Sequence, residues 1–147
     1  MSTIKKFLNL IFIDGLSGMA LGLFSTLIIG TILKQAADLI GGDFGYYLSI
    51  FAVMAQRLTG AGIGIGVAYK YKSSTYVTLS AAAAGMIGAY ATAIISGSIL
   101  SDGALVYSGP GDPLSAFIAA LAGIAVGSLP AGKTKLDLLI TPAVTII

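Results

Sequence analysis

Four long apolar runs alternate with short polar connections along the chain, and a fifth begins before its last residue. The first, Phe7–Leu33, holds about 27 residues where roughly 20 suffice to cross a bilayer. A short basic start, Met1–Lys6, precedes it. That layout is like a signal peptide, but the run is too long and has no early A-x-A site. Asp14-Gly15 interrupts it, and two arrangements fit. One is a single long tilted helix. The other is an interfacial segment, Ile4–Ile13, followed by a spanning helix, Leu16–Leu33, with Asp14 accepting backbone N–H bonds as its cap. Gly18 and Gly22 form a G-x-x-x-G spacing suited to close helix contact.

Lys34–Gly45 reads as a polar connection carrying Asp38 and Asp43, and Tyr46 and Tyr47 as interfacial anchors. The second run, Tyr46–Tyr69, is long enough to cross, with Gln56 and Arg57 near its middle. Gly60, Gly62, Gly64 and Gly66 follow, and Lys70 and Lys72 close it. The third run, Val77–Leu100, contains Ala81–Ala84, Gly85 and Gly88, a composition for helix packing. Ser101–Pro113 is the longest clear loop, with turn formers at Gly109-Pro110-Gly111. The fourth run, Leu114–Leu129, is short for a perpendicular span and carries Gly123 and Gly127. After Pro130–Lys135 the fifth, Leu136–Ile147, ends in LITPAVTII with no polar terminus, so a longer natural chain is expected. Pro142 in that run is a candidate kink.

Composition identifies the solvent. Of 147 residues 56% are hydrophobic and only 10% charged, and the mean hydropathy is +0.97. A soluble domain is nearer 25% charged. Fourteen charged side chains, eight basic and six acidic, cannot cover a water-exposed surface without large apolar patches. No cysteine or histidine excludes disulfides, thiol chemistry and the commonest acid–base and metal ligands. A dispersed net charge of +2 excludes a nucleic-acid surface. No cofactor is implied. Lys5/Lys6, Lys70/Lys72 and Lys133/Lys135 fall after even numbers of crossings, whereas Lys34 shares the other side with Asp38, Asp43, Asp102 and Asp112. The excess of lysine in short cytoplasmic loops then predicts a cytoplasmic N-terminus.

Arg57 is the first chemical candidate, because a charge at the bilayer centre costs roughly 2.5 kcal/mol or more. One reading places Arg57, Gln56 and Thr59 at a polar solute or anion site, with Asp14 as charge partner or cation-coupling group. The other lets Arg57 snorkel to an interface. The glycines Gly60, Gly62, Gly64 and Gly66 match neither phosphate-binding glycine motif. They fit a cavity-lining break, in which Gly60, Gly62 and Gly64 approach a solute, or close helix packing. Lys133-Thr134-Lys135 with Asp137 fits a phosphate site or, more simply, a topology signal. Nothing resembles a catalytic constellation, so intrinsic catalysis is not expected.

Gly18–Gln35 (GMALGLFSTLIIGTILKQ), Leu58–Lys72 (LTGAGIGIGVAYKYK) and Ala131–Ile146 (AGKTKLDLLITPAVTI) together resemble the amino-terminal half of bacterial type-2 phosphotransferase-system enzyme IIC proteins, the group that includes the regulator of perfringolysin. The resemblance covers nearly the whole chain. It implies a polytopic inner-membrane protein, sugar permeation coupled to phosphoryl transfer by cytoplasmic phosphocarrier partners, and a homodimer. The signature glutamate followed by proline of characterised sugar permeases has no counterpart, because the chain has no glutamate. The expected fold is an all-α polytopic membrane protein of about four to five transmembrane helices, forming one membrane domain over residues 1–147. A broken or re-entrant segment and half of an inverted-repeat transporter-like fold accompany that expectation. Transport of a small polar or anionic solute leads; a non-transporting membrane sensor and a small oligomeric channel lined by Gly60–Gly66 are the alternatives.

Overall fold

The computed structural model describes residues 2–133 and 135–147. Helix α1 is continuous over Ser2–Ile40, 39 residues. At 1.5 Å per residue it is about 58 Å long, roughly twice the hydrocarbon thickness of a bilayer. Asp14 therefore caps nothing: the chain is helical on both sides of it, and Gly15 follows in right-handed helical conformation. Two wider π turns, Leu10–Gly15 and Phe24–Ile28, accommodate contacts along α1. In the first, the Tyr71 hydroxyl donates to the Leu10 carbonyl at 2.9 Å, a bond made possible by a loosened helical ladder. The expected connection Lys34–Gly45 is also largely helical. Lys34 bonds Ser49 across the hairpin at 3.0 Å, so its charge is accommodated on a helix, and the chain reverses only at Gly41 and Gly42, whose φ values of 64° and 63° favour glycine.

Helix α2, Gly42–Arg57, runs back along the second half of α1. Helix α3, Thr59–Lys70, follows after a 52° bend at Leu58. Helix α4, Thr75–Ala89, starts at Ser74, whose hydroxyl caps the Val77 N–H. The short α5, Ala91–Ile95, continues beyond Tyr90. The third apolar run thus stops being helical before Leu100. Leu100–Ser101 (β1) instead pairs antiparallel with Ala104–Leu105 (β2), Leu100 opposite Leu105. Asp102 and Gly103 both have positive φ, the geometry of a tight hairpin turn. Helix α6, Pro113–Gly127, and α7, Asp137–Ile146, complete the chain. Pro142 lies within α7.

Helix α3 is the centre, packed on α1, α4 and α6. Its glycine ladder is helical, not irregular, which removes the cavity-lining break at Gly60–Gly66. Glycines two apart on a helix point about 200° apart, whereas those four apart share a face. Gly60 and Gly64 accordingly meet α4, and Gly62 and Gly66 meet α1. A Cβ on Gly60 would stand 2.7 Å from the Gly85 carbonyl oxygen, and one on Gly62 would stand 2.7 Å from the Thr26 methyl. A Cβ on Gly64 or Gly66 would collide with the carbonyl of Ala81 or Gly18. Ile63, Val67 and Ala68 fill the space left between helices, with Val77, Ala81, Ala116 and Ala120. Gly123 and Gly127 receive Thr145 of α7 in the same way. That threonine hydroxyl is satisfied by the Thr141 carbonyl at 2.7 Å.

Among the described residues one helix, α1, is by length and composition able to cross a membrane, or two if the bent pair α2–α3 counts as one span. The fold is thus all-α and membrane-associated apart from the two-residue strands, with fewer long spans than the four or five expected. Runs three to five are shortened by the turn at Tyr90, the hairpin and the turns before Asp137.

The mixed loop after α5 is tied down at its end. Asp112 caps α6 by accepting the Leu114 N–H at 3.1 Å and the Ser115 hydroxyl. These bonds, that from Ser115 foremost, hold its carboxyl below the usual aspartate range. A depressed folded pKa contributes stability that is present above the unfolded pKa and lost as pH falls through the folded one. Thermal stability should therefore decline below about pH 4, and less so in Asp112→Asn. Gly64→Ala and Gly85→Ala should each destabilise the detergent-solubilised protein by about 1–3 kcal/mol. Ile65→Ala, on the outward face, should stay within about 0.5 kcal/mol in the same denaturation measurement.

Candidate functional site

The bend at Leu58 releases backbone groups. Leu58 N–H still reaches the Met54 and Ala55 carbonyls, at 3.3 and 3.2 Å. The Gln56 carbonyl, however, is taken by the hydroxyl of Thr59 at 2.6 Å. Thr59 is fully buried where α3 begins. Its oxygen stands 3.4 Å from that of Thr26, which donates to the Gly22 carbonyl at 2.7 Å. The Gln56 side chain turns toward α1 and donates to Thr31 at 3.1 Å. Gly30 makes room for it: a Cβ there would stand 2.7 Å from Gln56 Cγ. The second π turn of α1 surrounds Thr26. Thr26, Thr31, Gln56 and Thr59 thus form a polar node between α1 and the broken helix.

Arg57 takes another direction. It is exposed at the C-terminal end of α2, where a cation is favoured by the helix dipole. It lines a shallow groove of about 230 Å³ with Tyr46, Ser49, Ile50, Val53 and Met54. Among the described residues the one ion pair is Lys34–Asp38 at 3.9 Å, so Arg57 has no acidic partner there. Asp14 is too far along α1 to provide one. Thr26 marks the level of Thr59, and twelve helical residues between Asp14 and Thr26 place the two about 18 Å apart in height. On the other side of the bend, Tyr90 places its hydroxyl 3.4 Å from the Arg57 carbonyl and donates to Gly109 at 2.6 Å. Tyr90 also packs on Tyr107, ring centroids 5.1 Å apart.

The structure therefore brings Gln56 and Thr59 together but turns Arg57 outward, and Asp14 joins neither. Gly60 and Gly64 face α4 backbone, not the Arg57 groove. Gly62 borders a separate shallow groove of about 480 Å³ with Leu21, Gly22, Ser25 and Thr78. Gly60, Gly64 and Gly66 are buried against neighbouring helices, and Gly62 is half-buried. Thr26, Thr31 and Tyr90 were not anticipated. Their hydroxyls within apolar runs were the available signal, since buried hydroxyls require partners. Thr134 of the basic cluster lies outside the described residues. Asp137 accepts the Gly132 N–H at 3.0 Å and the Thr141 hydroxyl, so its carboxylate is engaged within its own turn. Among the described residues no group of three or more metal-ligating acids is present.

A long apolar helix, a bent helix pair and glycine-mediated packing make this a helical, membrane-associated protein. Residues 13–147 match the model of the family described as Phosphotransferase system, EIIC, and the chain belongs to that family. It is a membrane permease component of a sugar- or solute-transport system. The family places it in the bacterial inner membrane. No curated protein and no solved structure matches it.

Replacing the buried Thr59 hydroxyl by a methyl removes its bond to the Gln56 carbonyl, which keeps a backbone N–H. Thr59→Val should lower stability by about 0.5–1.5 kcal/mol, and Thr59→Ser should restore most of it, as read by thermal denaturation in detergent.

Proposed function

We propose that this chain moves a small polar or anionic solute, with a sugar as the class favoured by its family, and that the bend at Leu58 is where the solute is handled. The observation that carries this reading is a broken helix with an exposed cation, Arg57, on one side and a satisfied polar node at Gln56 and Thr59 on the other. Broken membrane helices direct their ends at ligands in transporters. Arg57 is the group that attracts the solute, and Gln56 exchanges its bond to Thr31 for one to the solute. The ladder at Gly60, Gly62 and Gly64 serves by holding α3 against α1 and α4. Asp14 acts separately, through a cation at its own level of α1.

In the same reading α2 and α3 form one broken span, the membrane domain makes about four to five crossings with its shorter helices, and the N-terminus is cytoplasmic. Three lysine pairs at one end support that orientation: Phe7, Lys72 and Ala131, next to all three pairs, line one cavity. A homodimer working with cytoplasmic phosphocarrier proteins completes the proposal.

Uptake of labelled sugars into proteoliposomes tests it. Arg57→Ala should reduce uptake at least about tenfold, the loss of roughly 1.4 kcal/mol of solute interaction, with an unchanged circular dichroism spectrum. Arg57→Lys should retain part of the activity. Unchanged uptake in Arg57→Ala removes Arg57 from the site, and a folded wild-type protein that binds solute without flux favours the sensor.

A further inference from the structure

Another cavity lies away from Arg57, at the lysine-rich end. It has a volume of about 660 Å³ and runs between α1 and α6 above the α3–α4 turn. Its walls are apolar, with Leu10 and Ile11 from α1 facing Leu121 and Ala125 from α6. Two of its four hydroxyls are donated internally, Tyr71 to Leu10 and Ser128 to the Ile124 carbonyl at 2.6 Å. A sugar, which needs many polar partners, is poorly matched to such a trough. The rim is cationic. Lys72 lines it directly, Lys6 adjoins Phe7 on its wall, and Lys70, Lys5, Lys133 and Lys135 lie within a few residues of lining positions. The carboxylates at this end are Asp14 and Asp137, the second already engaged by Gly132 and Thr141.

We propose that this trough binds an anionic phospholipid, its acyl chain against Leu10, Ile11 and Leu121 and its headgroup phosphate at Lys72. An apolar slot opening at a basic membrane interface is complementary to both halves of that molecule. The assignment depends on the membrane setting of the chain and is independent of the solute site. Lys72 also offers a clean probe. It ends α3 with a φ of 51°, a left-handed conformation in which glycine is preferred. Lys72→Gly therefore removes the cation at a position where the fold gains from the exchange.

Native mass spectrometry of the purified protein, offered phosphatidylglycerol and phosphatidylcholine at equal concentration, reads the site. The wild type should retain phosphatidylglycerol preferentially. Lys72→Gly should reduce that preference about fivefold, as expected for one interfacial lysine. Leu121→Trp, which fills the trough, should lose both lipids, and Lys34→Gln at the opposite end should alter neither. Excess inorganic phosphate should leave phosphatidylglycerol in place, because it lacks the acyl chain. Equal retention of the two lipids, displacement by inorganic phosphate, or a preference that survives Lys72→Gly would overturn the proposal.

Discussion

The structure depends on how closely the backbone of α3 approaches its neighbours. Lipid gives helices no hydrophobic reason to associate, so contact area and van der Waals packing must provide it. Gly60 and Gly64 let the carbonyls of Gly85 and Ala81 come to the surface of α3 on one side. Gly62 and Gly66 admit Gly22 and Gly18 on the other. Ile63 and Val67, both fully buried, then occupy the seams. With α3 fixed between α1 and α4, helices α6 and α7 add to the same body through Gly88, Gly123 and Gly127.

The bend at Leu58 separates this tight body from a looser hairpin. Before it, α2 contacts chiefly the second half of α1, and large side chains such as Phe44, Phe51 and Met54 remain exposed. After it, α3 is enclosed. Polar groups collect at the boundary, where the hydroxyls of Thr59 and Tyr90 reach the carbonyls of Gln56 and Arg57. Membership of the EIIC family gives that boundary a context in solute movement.

Much of this was legible in the chain. The apolar, helical character of the chain was read from its composition and its long runs. The glycine spacing was legible too, since G-x-G-x-G-x-G is two interleaved G-x-x-x-G stripes once the segment is helical. Propensity argued against that helix, at about 1 kcal/mol per glycine, and burial between α1 and α4 overrode it. The continuity of α1 was less legible: Asp14 and Lys34 look like interruptions in a hydropathy profile, but on exposed or hairpin-paired helical surface they interrupt nothing. The candidate site was only half legible. Gln56 and Arg57, adjacent on α2 and about 100° apart, turn to different sides, Gln56 to Thr31 and Arg57 to its own groove. The phase of Thr59 depends on a 52° bend that no local pattern encodes.

The way α3 is enclosed also bears on its genetics. In an ordinary core an oversized side chain is relieved by shrinking the neighbour it strikes. Here the atoms struck are the main-chain oxygens of Ala81, Gly18 and Gly60 and the Gly62 carbonyl facing Gly22, which no substitution removes. A selection for suppressors of bulky changes at Gly22, Gly64, Gly66 or Gly85 should accordingly return true revertants, while the seam around Ile63 and Val67 remains open to compensating exchanges of volume.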